Sequence, residues 1–333
     1  MAMRVRVVGS IHELDEERWD ALAGCEVTMA HRWHRVMEAS RLGYRPRYLL
    51  AEDERGPLVG IVADTGQSFG RSRWLEVLLR RLTLMIEAPS SSRHSGIVMR
   101  PDTPRERVDR LLADLCRSER RPLLAVANVG PSELPAWSMR RYGARPQPPS
   151  MVLELPVPSY EHYLASLPPR HRHEVRRALR RAAEAGVTVS QAPFAGHESD
   201  LYPLLAEVCA RHRSRLFSPE LFPSLARELP GQVMVFSATV HGQLGAFFLC
   251  LRQGRTLLAI LAGLRYALAY PSSLYFVLLD DLVRWTLEHG IQRIHAGLSN
   301  EAQKQRHGFR PHARWLCVRA YPNPLNRLLL HPS

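Results

Sequence analysis

Lys304 is the only lysine in a chain of 333 residues, so its 45 basic Lys and Arg side chains are one lysine and 44 arginines (45 less one). Arginine replaces lysine at little cost as a solvated surface cation. It cannot do so where a compact ammonium on a flexible stem must reach a substrate, because the planar guanidinium is a different donor with a different pKa range. Lys304 is therefore a candidate for chemistry. It follows Ile291 to Asn300, a segment that reads as a strand ending at Gly297 and opening into a polar loop. Strand ends that feed loops are where α/β folds place reactive groups. There His295 offers a proton acceptor, Ser299 and Asn300 offer hydroxyl and amide donors, and Lys304 offers a cation for an oxyanion or a phosphate. A general-base role for Lys304 ranks lower, since nothing in the sequence shows the burial that would lower its pKa. Plainer readings stand beside these: His295 as a core histidine, Ser299 and Asn300 as turn residues, His307-Gly308 as a helix end.

A second group of candidates is the run Pro168 to Arg181. Projected at ~100° per residue, Arg170, His173, Arg176, Arg177, Arg180 and Arg181 share one arc of a helix, with Val175, Ala178, Leu179 and Ala182 opposite. Guanidinium forks on such a stripe, with Arg172 beside it, suit phosphate oxygens. The alternative is a solvated face, with the like-charged pairs Arg176/Arg180 and Arg177/Arg181 slightly opposing the helix. Glu184 is the acidic residue read as close to the stripe. The net charge of +13 points the same way, toward a polyanionic partner.

Several chemistries lack their residues. Gly297-Leu298-Ser299-Asn300-Glu301 has no closing glycine for a serine-nucleophile elbow. No G-x-x-x-x-G-K-[ST] loop is present, and no two glycines are separated by a single residue, which weakens NAD, ATP and coenzyme A as ligands. The five cysteines, Cys25, Cys116, Cys209, Cys250 and Cys317, are widely spaced without a C-x-x-C pair, so neither disulfides nor zinc are expected. The pairs His31/His34, His171/His173 and His307/His312 lack supporting carboxylates or thiols, and no metal is expected. Asp280 and Asp281 are adjacent on a helix and diverge. With no signal peptide and no run long enough to span a membrane, the expected location is cytoplasmic.

The elements that must position these residues follow from periodicity and turn chemistry. In the first half, an opening strand precedes helices over Glu13 to Ala23 and Ala30 to Ser40. The apolar runs Arg47 to Glu52 and Leu58 to Asp64 form a hairpin around Gly56-Pro57. An amphipathic segment spans Trp74 to Leu84, a helix starts near Pro104, and Leu123 to Val129 reads as a buried strand. The cluster Pro146, Pro148 and Pro149 suggests a linker before the strand Met151 to Leu155. The second half has a helix from Ser159, the arginine helix, the strand Val187 to Gln191, and helices over His197 to Arg213 and Pro219 to Glu228. Strands Gln232 to Val240, Leu244 to Leu251 and Thr256 to Gly263, the helix Ser272 to His289 and the strand Gln292 to Ala296 complete it. The expected fold class is α/β (α+β), with two domains, 1–148 and 149–333, each a mixed, mostly antiparallel sheet flanked by helices.

The stretch from Met151 to Val189 resembles the crossover segment of tandem GNAT-like acyltransferases of the FemABX and predicted N-acyltransferase group. The likeness continues through Gly242-Gln243-Leu244, the Ser272 to Phe276 stretch and the segment from Ile294 to Phe309, where Lys304 falls on the family's lysine. It is faint before residue 150, where only Trp19 to Leu22 and Leu58-Val59-Gly60 are reminiscent. The tyrosine often found shortly before that lysine is here Ala302 or Gln303. The resemblance implies two GNAT-like domains and transfer of an acyl or aminoacyl group to an amine of a small molecule or peptide. In the FemABX branch it implies aminoacyl-tRNA as co-substrate, with acyl-CoA as the alternative and no tightly bound cofactor; the net charge, the arginine stripe and the missing G-x-G loop favour RNA, so tRNA is the expected partner, held by Arg170, Arg172, Arg176, Arg177, Arg180 and Arg181. It also implies a phosphate or oxyanion contact for Lys304, and Tyr275 is taken as a substrate contact. A non-catalytic RNA-binding module on the same fold is the remaining alternative.

Overall fold

The computed structural model describes residues 3–66, 79, 81–89, 93–139, 142–194, 198–212 and 217–321. Most of the expected amphipathic segment Trp74 to Leu84 lies outside them. The chain forms two compact units, the first made of Met1–Pro149 with Ala313–Ser333 and the second of Ser150–His312.

The first unit contains β1 (Arg4–Val8), β2 (Pro46–Asp53), β3 (Gly56–Asp64), β4 (Thr83–Ile86), β5 (Ile97–Met99) and β6 (Leu123–Val129). Next come β7 (Gly143–Glu154), which enters the second unit at Ser150, and within that unit β8 (Val187–Pro193), β9 (Val233–Val240), β10 (Gln243–Gln253), β11 (Thr256–Leu264) and β12 (Arg293–His295); β13 (Arg310–Ala320) closes the series.

In the first unit β1, β2 and β3 run antiparallel, β3 pairs with both β4 and β5, and β4 lies parallel to β6. Trp19, on the helix Glu16–Ala23, is fully buried over Gly60, where an added Cβ would sit 3.5 Å from its ring and 2.9 Å from Val98. Only hydrogen fits at that position. The strand β13 pairs antiparallel with β6 from Trp315 to Ala320, so residues 313–321 belong by their contacts to the first unit. Chain order had placed them in the second. The prolines expected to form a linker instead lie within β7, whose first residues are largely exposed. Their fixed φ suits an extended strand wherever no N–H is required.

The second unit is a sheet in the order β7-β12-β11-β10-β9-β8. All pairs are antiparallel except β11 with β12. His241 and Gly242, at φ +50° and +79°, make the tight turn between β9 and β10, the geometry of a two-residue hairpin. Strand β10 is apolar almost throughout because both its faces are covered. Ala246, Phe248 and Cys250 point toward the core shared with Leu274, Leu278 and Leu282 of the helix Leu274–Glu288. Phe247, on the other face, meets Phe222 of the helix Leu221–Glu228 edge-on at 6.1 Å. Continuous hydrophobicity is what a strand buried on both sides requires. Asp280 and Asp281 do diverge: the first pairs with Arg284 (2.8 Å) and accepts from Tyr160, while the second accepts from Gln191 (2.9 Å). No described helix is long and apolar enough to cross a membrane.

Candidate active site

The parallel pair β11/β12 lasts three residues, from Thr256 opposite Arg293 to Leu258 opposite His295. Beyond that point β11 continues to Leu264 along β10, while the other chain turns away through Ala296 and Gly297. Gly297 has φ +65°, a left-handed conformation that glycine adopts without strain. Parting strands leave one edge of β11 without a strand partner among the described residues. The space between them is a cavity of about 130 Å³ lined by Ala259 to Ala262 on one side and Ala296 to Ser299 on the other, with Tyr275 and Lys304.

Lys304 reaches this cavity from a short helix, Glu301–Arg306, that ends just before His307-Gly308. Asn300, at its N-terminus, is itself left-handed at φ +56°. The helix stops at Gly308, which has φ +78° and where a Cβ would approach Leu167 to 2.9 Å. The Lys304 side chain is 2% exposed, and its Nζ donates to the carbonyl oxygen of Ala296. No carboxylate pairs with it among the described residues. Burial therefore acts unopposed, and pushes its pKa down to about 8. The burial that the sequence could not show is present, and the objection to proton transfer by Lys304 falls with it.

The remaining candidates separate. Ser299 lines the same cavity as Lys304, and Asn300 lines a neighbouring one of about 250 Å³. Tyr275 borders both cavities, packs edge-on against Phe248 at 5.2 Å and hydrogen-bonds with Asn300. Burial raises its phenol to about 12, so it stays a neutral donor. His295 is buried on β12, hydrogen-bond register opposite Leu258 and Val152, and is not among the residues that line either cavity. Alternation along the strand sends it to the face opposite Ile294, a core residue beneath the long helix. Among the described residues five other than glycine have positive φ, and two of them, Ser273 and Asn300, border the larger cavity. Left-handed residues that carry side chains concentrate at functional sites.

The arginine helix, Pro169–Glu184, buries Val175 and Ala182 and exposes Arg176, Arg177, Arg180 and Arg181. None of those four has an ion-pair partner among the described residues. Arg181 lines the larger cavity. Arg170 and Arg172 behave differently. Glu174, on the same helix, accepts from Arg170 (3.2 Å) and also pairs with Arg306 (3.3 Å) of the Lys304 helix. Arg172 donates to the Ala165 carbonyl (3.4 Å). The acid that tempers the stripe is thus Glu174, one turn from Arg170, and a strict i,i+4 reading would have found it.

The residues just before the helix Leu274–Glu288 also differ from a glycine-rich phosphate loop. They form a short helix, Tyr266–Ala269, followed by the turn that ends at Ser273. Sequence reasoning missed the aromatic side chains of this segment. Among the described residues, no three His, Cys, Asp or Glu side chains are grouped to hold a metal ion.

Residues 169–305, all inside the second unit, match the acetyltransferase (GNAT) domain family. No curated protein matches the sequence significantly. Three solved structures share the fold at low identity. The C-terminal domain of a lysylphosphatidylglycerol synthetase from Agrobacterium fabrum is 14% identical, with TM-score 0.61 and coverage of 96% of this chain and 95% of that one. FemX is 11% identical, with TM-score 0.61 over 98% and 100% of the two chains. The L-PGS of Bacillus licheniformis is 13% identical, with TM-score 0.60 over 95% of each. The parted strands, their cavity and the buried lysine all lie within the second unit's match to the acetyltransferase (GNAT) domain family, so the site belongs to a GNAT-like acyltransferase domain.

Proposed function

We propose that the chain transfers an aminoacyl group from aminoacyl-tRNA to the amine of a small-molecule or peptide acceptor. One observation carries the choice of donor: four exposed, unpaired arginines occupy one helix face, and the last of them, Arg181, lines the cavity that shares Tyr275 with the lysine site. Guanidinium groups free of carboxylates are available to phosphates. The short helix in place of a glycine-rich loop supports the same donor, as does the implied kinship with FemABX enzymes.

In the reaction the acceptor nitrogen attacks the ester carbonyl carbon of the donor, forming a C–N bond and an oxyanion. Collapse breaks the C–O bond to the ribose, whose oxygen takes up a proton as it leaves, and the amine gives up one. With a pKa of about 8, Lys304 is mostly protonated at neutral pH. One of its three N–H groups is taken by Ala296, and a desolvated ammonium is a strong donor to a developing oxyanion. Ser299 and Tyr275 border the same space and provide further hydroxyl donors. Asn300 holds Tyr275, and His295 is assigned to the support of β12 rather than to the reacting atoms.

The unpartnered edge of β11 favours a second reading, an acyl-CoA donor whose amide-bearing arm would lie along that edge as an added strand. Ribonuclease separates the two. Amide formation from a pool of charged tRNAs and candidate amines, followed by mass, is expected to stop when the RNA is destroyed. Product that persists after ribonuclease treatment and requires acyl-CoA overturns the proposal. A third reading, an RNA-binding module without chemistry, predicts no new amide in either assay.

A further inference from the structure

The larger cavity has a wall that phosphate binding and acyl transfer leave unused. Tyr266, the first residue of the short helix, and Tyr270, the residue that caps its end, lie with ring centroids 5.3 Å apart and planes tilted by 35°. The Arg211 guanidinium, from the last residue of the helix Glu198–Arg211, sits 4.5 Å from the Tyr266 ring centroid and 5.4 Å from that of Tyr270. The imidazole of His212 approaches the Tyr266 hydroxyl at 3.4 Å. Tyr270 is 61% exposed, an uncommon placement for a large aromatic ring, and both tyrosines line the cavity with Arg181. Elements from two parts of the second unit thus hold flat π-surfaces and a delocalised cation at the mouth of a space of about 250 Å³. Aromatic rings flanked by arginine stack planar bases, whatever the base, because every base has a π-face.

We infer that Tyr266 and Tyr270 form a stacking platform for a purine base at the end of the acyl donor, next to the phosphate contact of Arg181. This rests on the reading that the cavities receive the donor. The base chemistry is shared by the two donor types, since the acceptor end of a tRNA and coenzyme A both carry adenine. Base, phosphate and acyl group then each find a partner, in Tyr270, Arg181 and Lys304, around cavities joined at Tyr275.

The test uses the full chain and two probes: a minihelix RNA whose terminal adenine is replaced by a fluorescent adenine analogue, and coenzyme A carrying the etheno form of adenine. Stacking quenches both. The expected result is quenching of whichever probe binds, with affinity about tenfold weaker in Tyr270→Ala, a change of ~1.4 kcal/mol that lies within the range for one stacked base. Tyr270→Phe, which keeps the ring, is expected to restore both. Far-ultraviolet circular dichroism checks that the variants fold. Quenching of the coenzyme A probe alone, dependent on Tyr270, supports the platform while overturning the tRNA donor. Binding of the RNA with quenching that Tyr270→Ala leaves intact, or with none, overturns the platform and leaves the tRNA donor standing. Failure of both probes to bind overturns the platform.

Discussion

The second unit holds its cations in two contrasting environments. Lys304 is alone, 2% exposed and without a carboxylate among the described residues, while Arg176, Arg177, Arg180 and Arg181 stand together in solvent. The buried ammonium has lost its water and keeps one carbonyl in exchange. Its interaction with any new negative charge in the cavity is correspondingly strong, because the local dielectric is low. The four arginines keep their water, so each contact they make is weak, additive and screened by salt. Under the proposed function the contrast would separate two tasks, stabilising one charge that appears during reaction and holding a polyanion that is charged throughout.

The largest expected effect comes from removing the buried cation. Lys304→Met should lower kcat by about 10²- to 10³-fold, the loss typical of one oxyanion donor, with little change in donor KM. Steady-state kinetics at saturating acceptor measure it, and an unchanged kcat would show that the burial of Lys304 is structural. Lys304→Arg should fail almost as badly, since a planar guanidinium is larger than the ammonium and its fixed fork does not reproduce the donor geometry of the buried Nζ.

The second effect is on stability and has the opposite sign. Lys304 titrates near 8 when folded and near 10.5 as a free side chain. Below about 8 both states carry the proton, and folding bears the whole cost of burying it. Between the two values the unfolded state binds more protons, so stability rises with pH. The interval of 10.5 less about 8 corresponds to about 3 kcal/mol at ~1.4 kcal/mol per pH unit. Denaturation of the wild type at pH 7 and pH 10, beside Lys304→Met, should show a gain in the wild type that the variant lacks.

The same titration gives the rate profile a direction. If the ammonium is the active form, kcat falls as pH rises through about 8; if the neutral amine acts as base, kcat rises there. We expect the fall. Weaker still is the effect of the exposed cations. Arg176→Glu with Arg180→Glu should raise donor KM about tenfold at low salt, with kcat nearly unchanged, and the difference should shrink as salt is added. A salt-independent effect would mean that those arginines act on the fold. The smallest expected effect is at Asn300, where Asn300→Gly relieves a left-handed residue and removes the Tyr275 hydrogen bond, two changes of about 1 kcal/mol that oppose each other.

What the sequence showed and what it hid follow from the range of the interactions. The arginine face is set by residues three and four apart on one helix, so local spacing reveals it, and the strands β6, β9 and β10 announce themselves by the apolar runs Leu123 to Ala127, Val233 to Phe236 and Leu244 to Leu251. Lys304 stood out by composition. Its burial did not, because it depends on a six-residue helix with no apolar stripe, docked at the end of a three-residue strand. The Glu174–Arg306 pair and the Arg211–Tyr266 contact were invisible for the same reason: each joins elements that only the folded sheet brings together. His295 misled because a polar residue near a strand end is as compatible with the far face as with the cavity, and register alone decides between them.

The scarcity of lysine has a practical side as well. Apart from its α-amino group, the native chain offers no aliphatic amine to an amine-reactive reagent, because its one ε-amine lies beneath the end of β12. Such a protein is poorly labelled while folded and accepts one more label when it opens, at a single known position. Mass spectrometry after a brief pulse of reagent would then count opening events at Lys304. An acyltransferase with such a surface also presents little of itself for accidental acylation.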